Sequence, residues 1–145
     1  MKVKVKKVHK DAELPKYEST GAACFDLKAV TKEMKLLPVG PIVEYDTGLA
    51  FEIPKGFVGL IFQRSSITTK TNISLGNAVG VIDSDYRGTV KFQFRRSNQS
   101  PLKDYNVGDR LGQMMIVPIP EIELEEAKEL SSTERNTGGF GSTGQ

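Results

Sequence analysis

Asp83, Asp85 and Tyr86 close an apolar run in the segment Gly76-Asn77-Ala78-Val79-Gly80-Val81-Ile82-Asp83-Ser84-Asp85-Tyr86-Arg87-Gly88. Two carboxylates and a phenol beside a turn can orient a water and take its proton. A second alternating run comes next, Val90, Phe92 and Phe94. The pattern predicts a β-hairpin whose tip carries the polar groups, with a carboxylate on its buried side. Asp, Tyr and Gly are also ordinary turn residues, so the chemistry depends on what else the chain brings to the same place.

Two other segments carry groups suited to an anion. Gln63-Arg64-Ser65-Ser66 opens a stretch, Ser65 to Thr71, that predicts one or two helical turns with Ser65 or Ser66 as N-cap. Hydroxyls and free N–H groups at a helix start suit a phosphate. The last segment, Arg135-Asn136-Thr137-Gly138-Gly139-Phe140-Gly141-Ser142-Thr143-Gly144-Gln145, surrounds a single ring with glycines. Such a segment builds no core, so residues 135–145 are expected to form a free arm beside a domain of residues 1–134. Its hydroxyls, arginine and open backbone also suit phosphate oxygens. It lacks the Gly-Lys-Ser/Thr ending of a P-loop.

The elements that must position these groups are short strands. Period-two alternation recurs at Val3/Val5, Phe25/Leu27/Ala29, Leu49/Phe51/Ile53, Phe57 to Phe62, Val90/Phe92/Phe94 and Leu111 to Ile119. Turn signals separate them at Pro38 to Pro41, Pro54-Lys55-Gly56, Ser97 to Pro101, Val107-Gly108-Asp109 and Pro118 to Pro120. Ile122 and Leu124 also alternate, which predicts a further strand although Glu121 to Leu130 has helix-forming composition. The fold class is all-β, a sandwich or jelly roll with at most one short helix.

Composition removes several classes. At 145 residues the chain is one domain with room for a real core. A net charge of +2 without a basic block gives no nucleic-acid footprint, and Lys2, Lys4 and Lys6 fit the solvent face of a strand. One cysteine, Cys24, permits no intrachain disulfide and points to a reducing, cytoplasmic setting. With one histidine, His9, no zinc site of the usual spacing is available, and a Ser-His-Asp triad would have to use that residue. No apolar leader or run of membrane-spanning length is present, so no membrane partner is expected.

In chain order, Ala22-Ala23-Cys24-Phe25-Asp26-Leu27-Lys28-Ala29, Gln63 to Ser66, Gly76 to Gly88, Gly108-Asp109-Arg110-Leu111-Gly112-Gln113 and Arg135 to Gly144 resemble the motifs of the homotrimeric dUTPase family. The resemblance spans residues 22 to 144. It implies a jelly-roll (β-clip) homotrimer with active sites at subunit interfaces, cleaving dUTP to dUMP and pyrophosphate with Mg2+. That reaction keeps uracil out of DNA and supplies dUMP for thymidylate synthesis. An intracellular setting is implied with it, including a host nucleus if the source is viral.

The resemblance also implies roles. Asp83 matches the carboxylate that activates the attacking water, and Asn77 the amide that reads uracil. Gly80, Val81 and Ile82, with Lys91 on the facing strand, would supply further base contacts. Tyr86 matches the ring under the deoxyribose that leaves no room for a 2′-hydroxyl. Arg64, Ser65, Ser66 and Gln113 match phosphate contacts, with Ser66 standing where Gly is common. Arg110 matches a brace acting through a buried ion pair. Arg135 matches a γ-phosphate contact, Phe140 the ring closing over uracil, and Gly141, Ser142 and Thr143 the phosphate-binding turn of the arm. Asp26 matches a residue that either reaches the metal through water or braces an active-site Arg. A sister activity, dCTP deamination, resembles this scaffold but needs a Glu where Gln93 stands. A nucleotide-gated regulatory trimer is the alternative from another class.

Overall fold

The structure is a computed structural model and describes residues 1–38, 40–96 and 104–139, with the side chain of Thr68 left out. Phe140, Gly141, Ser142 and Thr143 lie outside the described residues. Nine strands and a single short helix occur among those described: β1 (Lys4–Lys7), β2 (Phe25–Lys28), β3 (Thr31–Leu37), β4 (Gly40–Glu52), β5 (Phe57–Gln63), α1 (Ser65–Lys70), β6 (Ile73–Leu75), β7 (Gly80–Ile82), β8 (Thr89–Arg96) and β9 (Arg110–Pro118). They form two antiparallel sheets, a jelly-roll-like sandwich. One has the order β1-β4-β8-β6 with β3 also paired to β4, and the other runs β2-β9-β5-β7.

The alternating residues meet between the sheets. Val43, Tyr45, Phe51, Val90, Phe92 and Phe94 of the first sheet face Phe25, Leu27, Ile61 and Met114 of the second, all buried. Phe92 and Phe94 stack at 6.1 Å, and Phe25 stacks on Phe51 across the layers at 6.1 Å. Aromatic pairs at such spacing add to the burial of their area. Among the described residues, no helix is long and apolar enough to cross a membrane.

Three local expectations are corrected. The segment from Gly76 to Phe94 is not one hairpin, because β7 pairs with β5 in one sheet while β8 pairs with β4 and β6 in the other. Residues 83–88 carry the chain from sheet to sheet, which alternation alone cannot distinguish from a hairpin return. Ile122 and Leu124 form no strand and are 70% and 93% exposed. Pro118 ends β9, Pro120 lacks a donor, and among the described residues no strand edge pairs with residues 121–124. The helix N-cap is Arg64 without a side-chain cap bond, so Ser65 and Ser66 fall within the first turn.

Candidate active site

The turn after β7 is built to hold its side chains. The Tyr86 N–H donates to the Asp83 carbonyl at 3.2 Å, and Arg87 Nη1 donates to the carbonyls of Ser84 at 2.7 Å and Tyr86 at 2.9 Å. Tyr86 Oη donates to the Thr89 carbonyl at 3.3 Å. A Cβ on Gly88 would collide with the Tyr86 ring, so glycine there lets the ring fold back over the turn. On the other side of β7, the Gly76 N–H donates to the Gln93 carbonyl at 2.8 Å. Ala78 sits at φ 59°, a left-handed conformation costly for a residue with a Cβ.

This turn and the outer face of β8 enclose a cleft of about 550 Å³. Asn77, Val81, Ile82, Asp83, Tyr86, Thr89, Lys91 and Gln93 line it, and Asp83 is the sole carboxylate among its described lining residues. Asp83 is exposed on the isolated chain, not on a buried side. Its carboxylate belongs to the turn that connects the two sheets. Beside the floor of the cleft, on the same face of the sheet, Glu44 of β4 receives Lys35 Nζ at 2.9 Å, Lys91 Nζ at 3.2 Å and Gln93 Nε2 at 2.7 Å. Burial would push its carboxyl up, but those donors outweigh burial and hold it at about 2. The same pairing raises the Lys91 ammonium above its usual range.

A second cleft, of about 420 Å³, opens at the end of β5. Arg64, Ser66, Lys70, Lys28 and Arg110 are among its lining residues, which makes it predominantly basic. The register of the second sheet explains the grouping, since Asp26 of β2 lies opposite Gln113 of β9, and Gln113 opposite Phe62 of β5. Asp26 Oδ2 accepts from Arg110 Nη1 at 3.0 Å, and its Oδ1 lies 3.9 Å from Arg64 Nε. The Arg110 brace is therefore half-buried: its side chain is 40% exposed against 15% for Asp26.

A sequence profile described as dUTPase matches residues 10–144. The chain belongs to the dUTPase family. The deoxyuridine 5'-triphosphate nucleotidohydrolase of Hydrogenobaculum sp. (strain Y04AAS1) is 41% identical over 145 residues, covering 99% of each chain. That of Desulfitobacterium hafniense (strain Y51) is 42% identical over 149 residues, covering 99% of this chain and 97% of the relative. Among solved structures, the Staphylococcus bacteriophage 80alpha dUTPase with dUPNHPP superposes with a TM-score of 0.76 at 25% identity, covering 99% of both chains. A dUTPase variant from phage phi11 of S. aureus, solved to show coordination of a structural Mg(II) ion, shares the fold with a TM-score of 0.71 at 22% identity, over 89% of this chain and 98% of that one.

The dUTPase motif residues thus divide between two places. Asn77, Val81, Ile82, Asp83, Tyr86 and Lys91 share the first cleft, with Gly80 buried in β7 beside them. Arg64 and Ser66 line the second, while Ser65 is exposed at the start of α1 and Gln113 stands next to Asp26. Arg135 lines neither cleft; it is exposed, and its Nε donates to the Gly138 carbonyl at 2.9 Å. For a dUTPase metal ion the donor set is poor. No group of three metal-binding side chains occurs among the described residues, and Asp26 already faces two guanidinium groups. The described residues do not form a protein-held Mg2+ site, and Asp26 fits the brace better than the ligand.

Sequence reasoning missed Glu44, Thr89 and Lys70. Glu44 had a signal of its own, a lone carboxylate inside the apolar stretch Ile42-Val43-Glu44-Tyr45. Thr89 and Lys70 carry no such mark.

Proposed function

We propose that this chain hydrolyses dUTP to dUMP and pyrophosphate, at sites where the first cleft of one chain meets the second cleft of a neighbouring copy in a homotrimer. One observation supports this above the rest: Asn77, Asp83 and Tyr86 gather in one cleft, while Arg64 and Ser66 line another. Nucleoside-type and phosphate-type groups of one substrate then come from two chains, as happens when a symmetric interface completes a site.

Asn77 offers both a donor and an acceptor to the uracil edge, with the backbone of Gly80, Val81 and Ile82 around it. A site built on such hydrogen bonds rejects a base whose donors and acceptors are exchanged. The Tyr86 ring lies under the sugar and excludes a 2′-hydroxyl. Asp83 orients a water opposite the leaving group and takes its proton as the water oxygen bonds to the α-phosphorus. The bond from that phosphorus to the α,β-bridging oxygen breaks, and pyrophosphate leaves. Arg64, Ser65, Ser66 and Gln113 hold the phosphates from the neighbouring chain. Arg135 and the arm with Phe140, Gly141, Ser142 and Thr143 close over the substrate and exclude water. Mg2+, if bound, would be held mainly by the triphosphate oxygens and retained waters rather than by this chain, and would supply charge neutralisation on the leaving pyrophosphate. The scheme calls on neither a nucleic acid nor a membrane, and an intracellular setting suits its substrate.

The test is pyrophosphate release from dUTP, dCTP, dTTP and UTP, with and without Mg2+. Metal-dependent release from dUTP alone is expected. Tight dUTP binding without release would move the weight to a nucleotide-gated regulator. Gln93 opposite Glu44 disfavours deamination of dCTP, because an amide takes no proton.

A further inference from the structure

The carboxylates Glu44 and Asp46 beside the first cleft take no part in dUTP hydrolysis as proposed, yet they hold three of the β8 side chains that line it. Thr89, Lys91 and Gln93 lie two residues apart along β8, so their side chains stand on one face of the sheet. Each is tied to β4. Asp46 Oδ2 accepts from Thr89 Oγ1 at 2.7 Å and lies 3.7 Å from Lys91 Nζ. Glu44 accepts from Lys91 Nζ at 3.2 Å and from Gln93 Nε2 at 2.7 Å. The remaining oxygen of Asp46 accepts from the Gly48 N–H at 2.7 Å, within the irregular stretch of the β4–β8 ladder. Neither carboxylate lines the cleft, whereas all three of their β8 partners do.

We propose that Glu44 and Asp46 are positioning residues that lock Lys91, Gln93 and Thr89 on the cleft floor, and that Glu44 in particular holds the Lys91 ammonium away from Asp83. The proposal rests on the reading of this cleft as the nucleoside pocket. An ammonium on a flexible stem seeks the nearest anion. With Glu44 intact, Lys91 has two anions on β4. With Glu44 neutral, Lys91 keeps only the longer of these contacts, to Asp46 at 3.7 Å. Its ammonium is then freer to turn to Asp83, the single carboxylate among the described residues lining the same cleft, where pairing would occupy the group that must face water. Gln93 is set by the same contact. A carboxylate only accepts, so the Gln93 amide nitrogen must face Glu44, and the amide oxygen is left for the cleft. The charges around Glu44 come from three strands: Lys35 and Glu33 on β3, Asp46 on β4 and Lys91 on β8. Lys35 touches Glu44 from β3 and does not line the cleft, which supplies a control.

The test is a double-mutant cycle in kcat and KM for dUTP, using Glu44→Gln, Lys91→Met, the double variant and Lys35→Met. Thermal unfolding is followed for each. Glu44→Gln is expected to lower kcat/KM by about 10-fold, and the double variant should lose much less than the product of the single losses. Lys35→Met should lower the unfolding temperature while leaving KM and kcat within about twofold of wild type. Losses that multiply in the cycle, or a Lys35→Met loss as large as that of Glu44→Gln, would overturn the positioning role and leave only a structural one. Should Glu44→Gln fail to fold, Asp46→Asn carries the same cycle, since it loosens Lys91 and Thr89 with Glu44 in place. Wild-type hydrolysis of dUTP combined with multiplying losses removes this proposal alone. A wild-type protein that does not hydrolyse dUTP removes the nucleoside-pocket reading and the proposal with it.

Discussion

Asp83 is exposed, beside Asn77 and Tyr86 and away from the guanidinium groups of the second cleft. Single substitutions therefore separate the proposed proton acceptor from the groups proposed to bind. Asp83→Asn retains size and hydrogen bonding but cannot accept the water's proton, so turnover should fall by about 10²-fold or more with dUTP binding kept. Wild-type turnover in that variant, measured by pyrophosphate release, would remove the base. Tyr86→Ala should open space under the sugar and raise the ratio of UTP to dUTP turnover by about 10-fold. An unchanged ratio would show that the ring does not read the 2′ position. The proximity of these residues was legible in the sequence because one contiguous segment carries them, while their roles came only from resemblance. Glu44 stood out only as a lone carboxylate among apolar residues; its contacts were not legible, because its partners Lys35, Lys91 and Gln93 come from other strands, and only the register brings them together.

At the scale of elements, alternation located the strands that have one face on the core, such as β8 with Phe92 and Phe94. It failed for β3, whose residues are nearly all exposed, and for the first half of β4, where Glu44 is covered as fully as its apolar neighbours. It also failed for the passage from β7 to β8, since a change of sheet leaves the period intact. Glu44 ties β3, β4 and β8 together through Lys35, Lys91 and Gln93, and that has a pH signature. Its folded pKa of about 2 lies below the ordinary 4.5, so the stabilisation is present above pH 4.5 and is lost as pH falls through 2. The full difference is about 3 kcal/mol. Denaturant unfolding of wild type and Glu44→Gln should show a gap at pH 7 that narrows by pH 2; a pH-independent gap would contradict the coupling. Deleting residues from Arg135 onward should leave a folded protein with little activity, checked by circular dichroism and pyrophosphate release. Full activity would make the arm only a tail.

At the scale of the molecule, the proposed site needs more than one chain. The motif residues are divided between two clefts, and Ile122, Leu124 and Leu130 project into solvent at 70%, 93% and 90% exposure. Assembly was legible only through resemblance, since period and composition carry no information about symmetry. The most direct measurement is subunit complementation between Asp83→Asn and Arg64→Ala, each inactive alone, mixed by co-refolding and assayed for dUTP hydrolysis. If each site takes Asp83 from one chain and Arg64 from another, random mixing restores both at roughly a quarter of the sites, and activity should return to about that fraction. If each chain holds a complete site, the mixture stays inactive, and the shared site is wrong.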